Sequence, residues 1–225
     1  MTRTLSTGRR GPASGTLRNA VVFLHGYGAD GADLLGLAEP LAPHLPDTLF
    51  LAPDAPEPCA GNPFGRQWFP IPWIDGSSEA ESVAGVARAS DDLNAWLDDL
   101  MAAEGLAPGQ IALLGFSQGT MMSLEVAPRR SEPLAGVVGF SGRLMSPERL
   151  AAETVSRPPV LLLHGDADEV VPPQSLPEAG AALQAAGFTV YGHVMRGTGH
   201  GIAPDGLSIA LAFLKDVLPG SASAA

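Results

Sequence analysis

Short, continuously apolar runs alternate along the chain with longer segments in which apolar residues recur at helical spacing. The apolar runs cover residues 20–24, 48–52, 111–114, 135–140, 159–164 and 188–194. Helical spacing marks residues 32–41, 81–104, 120–125, 173–186 and 205–218. Runs without polar alternation are typical of strands buried on both faces. Their alternation with helices predicts an α/β protein with a doubly wound, mostly parallel sheet and helices on both faces.

The pattern is that of one domain. It covers residues 19–218, and no internal repeat or linker divides it. Residues 1–18 lack an apolar pattern and are expected to be poorly ordered or to form an edge strand. Residues 219–225, PGSASAA, follow the last helical pattern and consist of small residues and one proline, so a flexible tail is expected there.

Residues 53–75 interrupt the alternation of strands and helices. They include six prolines and the aromatic residues Phe64, Trp68, Phe69 and Trp73. A loop of this length without regular structure is uncommon in a compact domain and is often functional. Its aromatic side chains either pack on the core or form a substrate-pocket wall, and the wall is favoured because the loop follows the carboxyl end of a strand. An exposed Trp68 or Trp73 at a dimer contact is a third alternative, so a monomer or a homodimer is expected.

Composition narrows the possible partners. The 225-residue chain has a formal net charge of −11, which argues against nucleic acid and anionic membrane surfaces. The one cysteine, Cys59, excludes an intrachain disulfide and a cysteine-rich metal site. Lys215 is the only lysine. No segment has the pattern of a signal peptide or a membrane span, so the cytoplasm is the expected compartment.

The run GFSQG at residues 115–119 lies between an apolar strand and a helical segment. Gly-x-Ser-x-Gly at a sharp strand-to-helix turn is the pattern of a nucleophile elbow, in which the glycines leave room for the neighbouring strand and helix. The helix that follows directs its free N–H groups at whatever the serine attacks. Ser117 is therefore the candidate nucleophile. A second run, GFSGR at 139–143, lacks the second glycine at the required offset, so Ser141 is predicted to be structural.

A serine hydroxyl is a weak nucleophile, so Ser117 needs a neighbouring base and an orienting carboxylate. In hydrolases built on such an elbow, the chain order is Ser, then Asp or Glu, then His. His164 precedes every candidate carboxylate, and His193 lies within a strand, where packing fixes its ring. His200, in a glycine-rich loop before the last helix, is the predicted base. The alternative for His200 is a loop histidine that caps this helix.

Three acids compete for the role of carboxylate in the loop after the strand at 159–164. They are Asp166, Asp168 and Glu169. Asp168 is favoured because the residues after it turn back into the fold. Asp166 is expected to stabilise the turn by accepting hydrogen bonds from backbone N–H groups, as Asp often does.

Acyl transfer also needs two preorganised N–H donors for the oxyanion. The residue after the nucleophile, Gln118, is expected to supply one, and Tyr27 in the glycine-rich run at 25–31 the other. A tight turn alone is the alternative for this run. A phosphate-binding loop is excluded because neither a GxGxxG nor a GKS or GKT sequence is present.

Four motifs stand in order: LHGYGADG at 24–31, GFSQGTMM at 115–122, LHGDADEVVP at 163–172 and GTGHGI at 197–202. Together they closely resemble the phospholipase/carboxylesterase branch of the α/β-hydrolases, which includes bacterial carboxylesterases and acyl-protein thioesterases. The resemblance extends from about residue 20 to residue 218 and implies an α/β-hydrolase fold without a large cap domain. The residues that it implies are the triad Ser117, Asp168 and His200, the oxyanion donors Tyr27 and Gln118, and the acyl-pocket pair Trp68 and Phe69.

The chain departs from the family pattern at three positions. Thr120 stands where the family often has a second glycine, Tyr27 where it often has leucine, and Pro70 where aspartate often follows the aromatic pair. The first two departures leave the backbone donors intact. The third, with the proline-rich loop, favours small esters over long-acyl or acyl-protein substrates.

We therefore expect a serine carboxylesterase that hydrolyses small to medium carboxylic esters through an acyl-enzyme on Ser117, without cofactor or metal. The alternatives are an acyl-protein or small-molecule thioesterase, a lysophospholipase, and an inactive binding protein on a hydrolase fold. A lactonase of the type that uses cysteine at the elbow is disfavoured because this chain has serine there.

Overall fold

The computed structural model describes residues 2–59 and 62–220. The strands in these ranges are β1 (Thr7–Arg10), β2 (Asn19–Leu24), β3 (Thr48–Pro53), β4 (Glu57–Cys59), β5 (Asn62–Gln67), β6 (Ile111–Phe116), β7 (Gly136–Phe140), β8 (Val160–Gly165) and β9 (Val190–Met195). The α-helices are α1 (Gly31–Leu35), α2 (Ala38–Leu41), α3 (Pro72–Asp75), α4 (Glu79–Glu104), α5 (Gln118–Val126), α6 (Pro147–Glu153), α7 (Ser175–Ala185) and α8 (Pro204–Val217).

The main sheet has seven strands in the order β1-β3-β2-β6-β7-β8-β9. All neighbours from β3 to β9 are parallel, and only β1 pairs antiparallel, on β3. Strands β2, β3, β7 and β8 are buried along their whole length, as their unbroken apolar runs predicted. The predicted doubly wound, mostly parallel sheet is confirmed.

Helices cover both faces of this sheet. On one face, Val22 and Leu24 of β2 share a core with Leu97 of α4, Met121 of α5 and Leu183 of α7. On the other face, the alternate residues of β2, Val21 and Phe23, pack with side chains of α1, α2 and α8. Because successive side chains of a strand point to opposite faces, each buried strand contributes to both layers.

Several boundaries differ from the predicted ones. The helix expected at 32–41 is two short helices, α1 and α2. The strand expected at 188–194 is β9, which ends one residue later. Helix α4 begins two residues before the predicted start, because Ser78 forms a capping box with Glu81. A capping box satisfies N–H groups that the first turn of a helix leaves free.

The N-terminal segment is part of the fold. Strand β1 pairs with β3 in register, and Leu5 is buried in the core. The Arg3 guanidinium contacts Asp92 of α4 at 2.7 Å and Glu57 of β4 at 3.0 Å. The segment therefore contains an edge strand, which is one of the two alternatives that the sequence left open for it. Of the tail predicted at 219–225, residues 221–225 lie outside the described residues.

The segment 53–75 contains regular structure that the sequence did not predict. Strands β4 and β5 form an antiparallel hairpin, and α3 follows it. The hairpin is joined to the loop after β2: the Gly28 N–H donates to the Arg66 carbonyl at 2.9 Å, and the Arg66 N–H donates to the Ala29 carbonyl at 2.8 Å. The proline-rich segment thus braces the glycine-rich run at 25–31.

Helix α8 ends at the edge of the sheet where the parallel strands begin. Lys215 lies in its last turn, and the chain then reaches Pro219, whose carbonyl accepts a hydrogen bond from the Asn19 side chain at 2.9 Å. Asn19 is the first residue of β2. Within residues 2–59 and 62–220, no helix combines the length and the apolar character that crossing a bilayer requires.

Candidate active site

The nucleophile elbow is a single strained residue between β6 and α5. Strand β6 ends at Phe116 and α5 begins at Gln118, so Ser117 alone makes the turn, with φ 54° and ψ −114°. A non-glycine residue at positive φ is uncommon, and such strain persists only where surrounding structure enforces it. Here the Ser117 N–H donates to the Phe140 carbonyl of β7 at 2.9 Å.

The residues around Ser117 show why this turn needs its sequence. A Cβ on Gly119 would collide with the Leu24 carbonyl of β2, and one on Gly115 would collide with the backbone of Gly119. Thr120, where the family often has glycine, places its hydroxyl 2.8 Å from both the Gly115 and the Phe140 carbonyl oxygens. The threonine therefore links β6, β7 and α5.

The structure brings Ser117, His200 and Asp168 into one hydrogen-bonded line. The Ser117 Oγ lies 3.0 Å from His200 Nε2, and His200 Nδ1 lies 2.8 Å from Asp168 Oδ2. The Phe116 ring packs on the imidazole, with ring centroids 4.9 Å apart. This geometry has a nucleophile, a base within hydrogen-bond reach and a carboxylate that orients the base.

Asp168 is fully buried and well supplied with donors. Its Oδ1 accepts from the N–H groups of Val170 and Val171, each at 2.9 Å, while Oδ2 faces His200. Burial acts to raise the pKa of the Asp168 carboxyl. The hydrogen bonds from His200, Val171 and Val170 outweigh it and hold the pKa below its usual value.

The other sequence candidates have different partners. His164 is buried, with Nε2 2.9 Å from the Val171 carbonyl and 3.3 Å from Asp168 Oδ2, so it supports the acid loop from inside the fold. His193 pairs with Asp205 at 2.8 Å, at the beginning of α8. Asp166 accepts from the Gly197 N–H at 2.6 Å, a backbone hydrogen bond of the kind that the sequence predicted for it.

The backbone N–H groups of Tyr27 and Gln118, the predicted oxyanion donors, belong to segments that contact Ser117. Gln118 is the first residue of α5, where N–H groups have no partner within the helix. Tyr27 lies in the loop after β2, which packs on the elbow so closely that a Cβ on Gly26 would come 3.3 Å from Ser117 Cβ. In the described ranges, neither N–H donates to a backbone carbonyl.

Trp68 braces these two donors from within the core. Its backbone N–H donates to the Gln118 side-chain oxygen at 2.8 Å, and its indole N–H donates to the His25 carbonyl at 3.0 Å. The Gln118 amide in turn donates to the Phe69 carbonyl at 2.7 Å. The Trp68 side chain is fully buried, so its ring has no surface open to solvent, and its role in the wall of the acyl pocket stays a prediction.

His25 adds a neutral imidazole to this brace. Its Nε2 accepts from the Ala55 N–H at 2.9 Å, so Nδ1 carries the proton and donates to the Gly26 carbonyl at 2.8 Å. Burial lowers the pKa of His25 and keeps the ring uncharged.

The chain as a whole resembles known esterases. Residues 12–218 match the phospholipase/carboxylesterase family. The chain belongs to this family. The crystal structure of esterase PE8 is similar to it with a TM-score of 0.91 at 44% sequence identity, covering 96% of this chain and 100% of the other.

Two curated relatives cover most of this family member. Esterase YpfH from Escherichia coli (strain K12) is 29% identical, over 88% of this chain and 83% of its own length. Acyl-protein thioesterase 1 from Gibberella zeae is 28% identical, over 92% of this chain and 94% of its own. The predicted family and the predicted class, a serine hydrolase with esterase activity, are confirmed.

A cavity of about 260 Å³ lies beside the hydrogen-bonded line of this esterase. Met121 in its lining is one turn along α5 from Ser117, and its N–H donates to the Ser117 carbonyl at 3.2 Å. Val170 and Val171, whose N–H groups hold Asp168, also line it. The remaining lining residues are Trp73, Arg143 and Pro172.

A second cavity, of about 310 Å³, shares Trp73 and Arg143 with the first and is lined in addition by Phe69. Of the predicted pair Trp68 and Phe69, Phe69 therefore lines this cavity. Trp73 contacts both cavities and is 61% exposed. From the sequence alone, Trp73 was only one of four aromatic residues in the 53–75 segment.

Proposed function

We propose that this esterase hydrolyses small to medium carboxylic esters through an acyl-enzyme on Ser117, with His200 as base and Asp168 as its orienting acid. The observation that carries the proposal is the continuous line of hydrogen bonds, 3.0 Å from Ser117 Oγ to His200 Nε2 and 2.8 Å from His200 Nδ1 to Asp168 Oδ2. The order Ser, Asp, His along the chain is also that of the family.

In the acylation step, Ser117 Oγ attacks the ester carbonyl carbon while His200 Nε2 takes the hydroxyl proton. The ionised Asp168 holds the proton of His200 on Nδ1 and stabilises the imidazolium that forms. His200 then gives its proton to the leaving alcohol. A water molecule repeats the sequence on the acyl-enzyme, releasing the acid and returning the proton through His200.

We assign the oxyanion to the N–H groups of Tyr27 and Gln118. Donors that are already oriented stabilise developing charge without reorganisation during the reaction. The Trp68 brace supports this assignment, because it ties the loop before Tyr27 to the Gln118 side chain through hydrogen bonds of 3.0 and 2.8 Å.

Short acyl chains fit the site best. The cavity beside Ser117 and Asp168 has a volume of about 260 Å³, near the lower limit of about 300 Å³ for small-molecule sites. Its lining is mostly apolar, which suits the hydrocarbon part of a small ester.

The test is the initial rate on p-nitrophenyl esters from acetate to palmitate, with Ser117→Ala as the blank. We expect the rate to peak at short chains and kcat to fall roughly a millionfold in Ser117→Ala, by analogy with serine proteases. Ser123→Ala, which removes another buried hydroxyl from α5, is the matched control and should stay active. Activity at no chain length would contradict the proposal.

A thioesterase is the second candidate because a relative of nearly the same length is named acyl-protein thioesterase 1. Initial rates on oxygen and thio esters with the same acyl group separate the two functions. A preference for thioesters, or activity confined to long acyl chains, would favour the thioesterase or lysophospholipase alternative.

We further propose that the enzyme works in the cytoplasm as a monomer or a homodimer. Phe64, which is 90% exposed, and Trp73, which is 61% exposed, are the aromatic side chains of the 53–75 segment that are open to a contact between copies. Light scattering coupled to gel filtration measures the oligomeric state, and Trp73→Ser would dissociate a dimer built on this residue.

A further inference from the structure

Arg143 is held beside the nucleophile by a turn that catalysis itself does not use. Strand β7 ends at Phe140, and Ser141 follows with φ 48° and no exposed surface. A Cβ on Gly142 would collide with Thr120 and come 2.9 Å from the Ser117 carbonyl. The turn formed by Ser141 and Gly142 therefore packs on the first turn of α5 and directs the chain at Arg143 toward the mouth of the site.

The Arg143 side chain stacks on an exposed ring. Its guanidinium carbon lies 4.6 Å from the centroid of the Trp73 ring. Arginines that stack on aromatic rings usually do so with the flat face of the guanidinium, which leaves the N–H groups at its edge available. The pair thus presents hydrogen-bond donors and positive charge next to apolar surface.

The cavity of about 260 Å³ is positively charged because of Arg143. The other described residues that line it are Trp73, Met121, Val170, Val171 and Pro172, all of them uncharged. Arg143 also lines the cavity of about 310 Å³ and a third of about 350 Å³, but carboxylates line both of those. Among the residues that line the first cavity, Arg143 therefore has no acidic neighbour, and the Asp168 carboxylate lies behind Val170 and Val171, bonded to their N–H groups and to His200.

In the described ranges, no carboxylate of the protein forms an ion pair with Arg143. Arg149, six residues further on, illustrates the contrast: it lies 2.8 Å from Glu125 and 3.3 Å from Glu153. Arg10 on β1 also lacks an ion pair within the described ranges, so what distinguishes Arg143 is its place in the wall of an otherwise apolar cavity. The Arg143 guanidinium is therefore available to bind the carboxylate of a ligand through two parallel hydrogen bonds.

We infer that Arg143 is a specificity-determining residue that binds a carboxylate carried by the substrate. The favoured substrates are esters in which a short apolar chain separates the reacting carbonyl from a second, ionised carboxyl group. The acyl chain lies against Val170, Val171 and Met121 while the carboxylate meets the edge of the guanidinium. This inference rests on the proposed esterase function.

The test compares charged and neutral substrates of equal length. Mono(4-nitrophenyl) esters of glutaric and adipic acid carry the anion on the acyl side, and 4-nitrophenyl pentanoate and hexanoate are their neutral counterparts. The pair 4-acetoxybenzoate and 4-methylphenyl acetate tests an anion on the alcohol side. Spontaneous hydrolysis is subtracted with Ser117→Ala.

We compare the ratio of kcat/KM for the anionic ester to kcat/KM for the neutral ester. We expect Arg143→Gln to lower this ratio roughly tenfold to a hundredfold, because the loss of a hydrogen bond to a charged group usually has an effect of this size. Arg143→Lys should retain part of the preference, because it keeps the charge and loses the fork of donors. Arg10→Gln on β1 makes the same change in net charge on a distant exposed strand and should leave the ratio unchanged.

The inference would be overturned if the wild type and Arg143→Gln hydrolysed all the esters with the same ratio of kcat/KM for the anionic ester to kcat/KM for the neutral ester. The esterase assignment would then remain intact. If no ester were hydrolysed, the esterase assignment itself would fail, and binding would then decide the role of Arg143. Calorimetric titration of adipate into Ser117→Ala should show binding that Ser117→Ala/Arg143→Gln loses. Equal binding by both proteins would overturn the inference.

Discussion

Asp168 combines complete burial with a full negative charge. Three hydrogen bonds make this possible, two from the N–H groups of Val170 and Val171 and one from His200. They hold the pKa of the carboxyl below its usual value even though burial acts in the opposite direction. The charge keeps the His200 proton on Nδ1 and leaves Nε2 free to accept the proton of Ser117.

Asp168→Asn should preserve the shape of the site and remove this charge. By analogy with serine proteases, we expect kcat to fall roughly ten-thousandfold, because the amide favours the wrong imidazole tautomer. Asp166→Asn is the control in the same loop, since the Asp166 side chain accepts a hydrogen bond from the Gly197 N–H and has no contact with His200 within the described residues. Equal losses in the two variants would contradict the assignment of Asp168 as the acid.

The same carboxylate makes stability depend on pH. Because folding lowers the pKa of Asp168, its contribution to stability is present above the unfolded pKa of about 3.9 and is lost as the pH falls through the folded pKa. The free energy of unfolding of the wild type should therefore fall more between about pH 6 and about pH 3 than that of Asp168→Asn. Urea titrations at several pH values measure the free energy of unfolding of both proteins. If the difference between the two free energies did not change with pH, the prediction would be contradicted.

Trp68→Phe tests whether this tryptophan braces the core. The substitution leaves the buried His25 carbonyl without its donor, which should cost about 1–3 kcal/mol of unfolding free energy. Trp96→Phe removes a comparable indole bond, to the Thr7 hydroxyl near the surface, and should cost less. A change in KM without a change in stability would instead favour a pocket wall.

At the scale of elements, the elbow depends on the contact between α5 and β2. A Cβ on Gly119 would overlap the Leu24 carbonyl, and Leu24 is held in the sheet by its pairing with Gly115 of β6. Gly119→Ala should therefore destabilise the fold by about 3 kcal/mol and abolish activity. Gly109→Ala is the matched control because open space surrounds that position. Denaturant unfolding measures both, and equal stabilities would show that the elbow is not this tightly packed.

The parallel strands could be predicted because their residues are buried on both faces and read as unbroken apolar runs. The hairpin of β4 and β5 could not, because Pro58 and Pro63 interrupt the strand pattern. Prolines are tolerated there because both strands are edge strands of a two-stranded sheet. Nor could the burial of Trp68 be predicted, since it depends on carbonyls and amides distant in the chain.

At the scale of the whole molecule, the N-terminal segment ties distant parts together. Arg3 bridges Asp92, which is buried in α4, and Glu57 on the hairpin. The sequence of β1, TGRR, has no apolar residue, so only its pairing with β3 reveals it as a strand. The triad could be predicted because each of its residues lies in a recognisable motif. The contacts of Arg3 could not, because they join charges that are some 50 to 90 residues apart in the chain.

Arg3→Gln should destabilise the protein by about 2 kcal/mol, because it leaves the Asp92 charge buried beside fewer donors while the partial exposure of Arg3 weakens the pair. Arg10→Gln changes the net charge equally at an exposed position and serves as the control. Thermal unfolding of the two variants at one pH makes the comparison. Indistinguishable transition temperatures would show that the segment is not held by this ion pair.

The position of Lys215 has a practical consequence. It is the only lysine, and it lies at the end of α8 where the chain meets the start of β2. Ser117 lies at the opposite, carboxyl edge of the same sheet. Coupling through the lysine side chain would attach the enzyme to a solid support at one point, with its substrate entrance facing the solution.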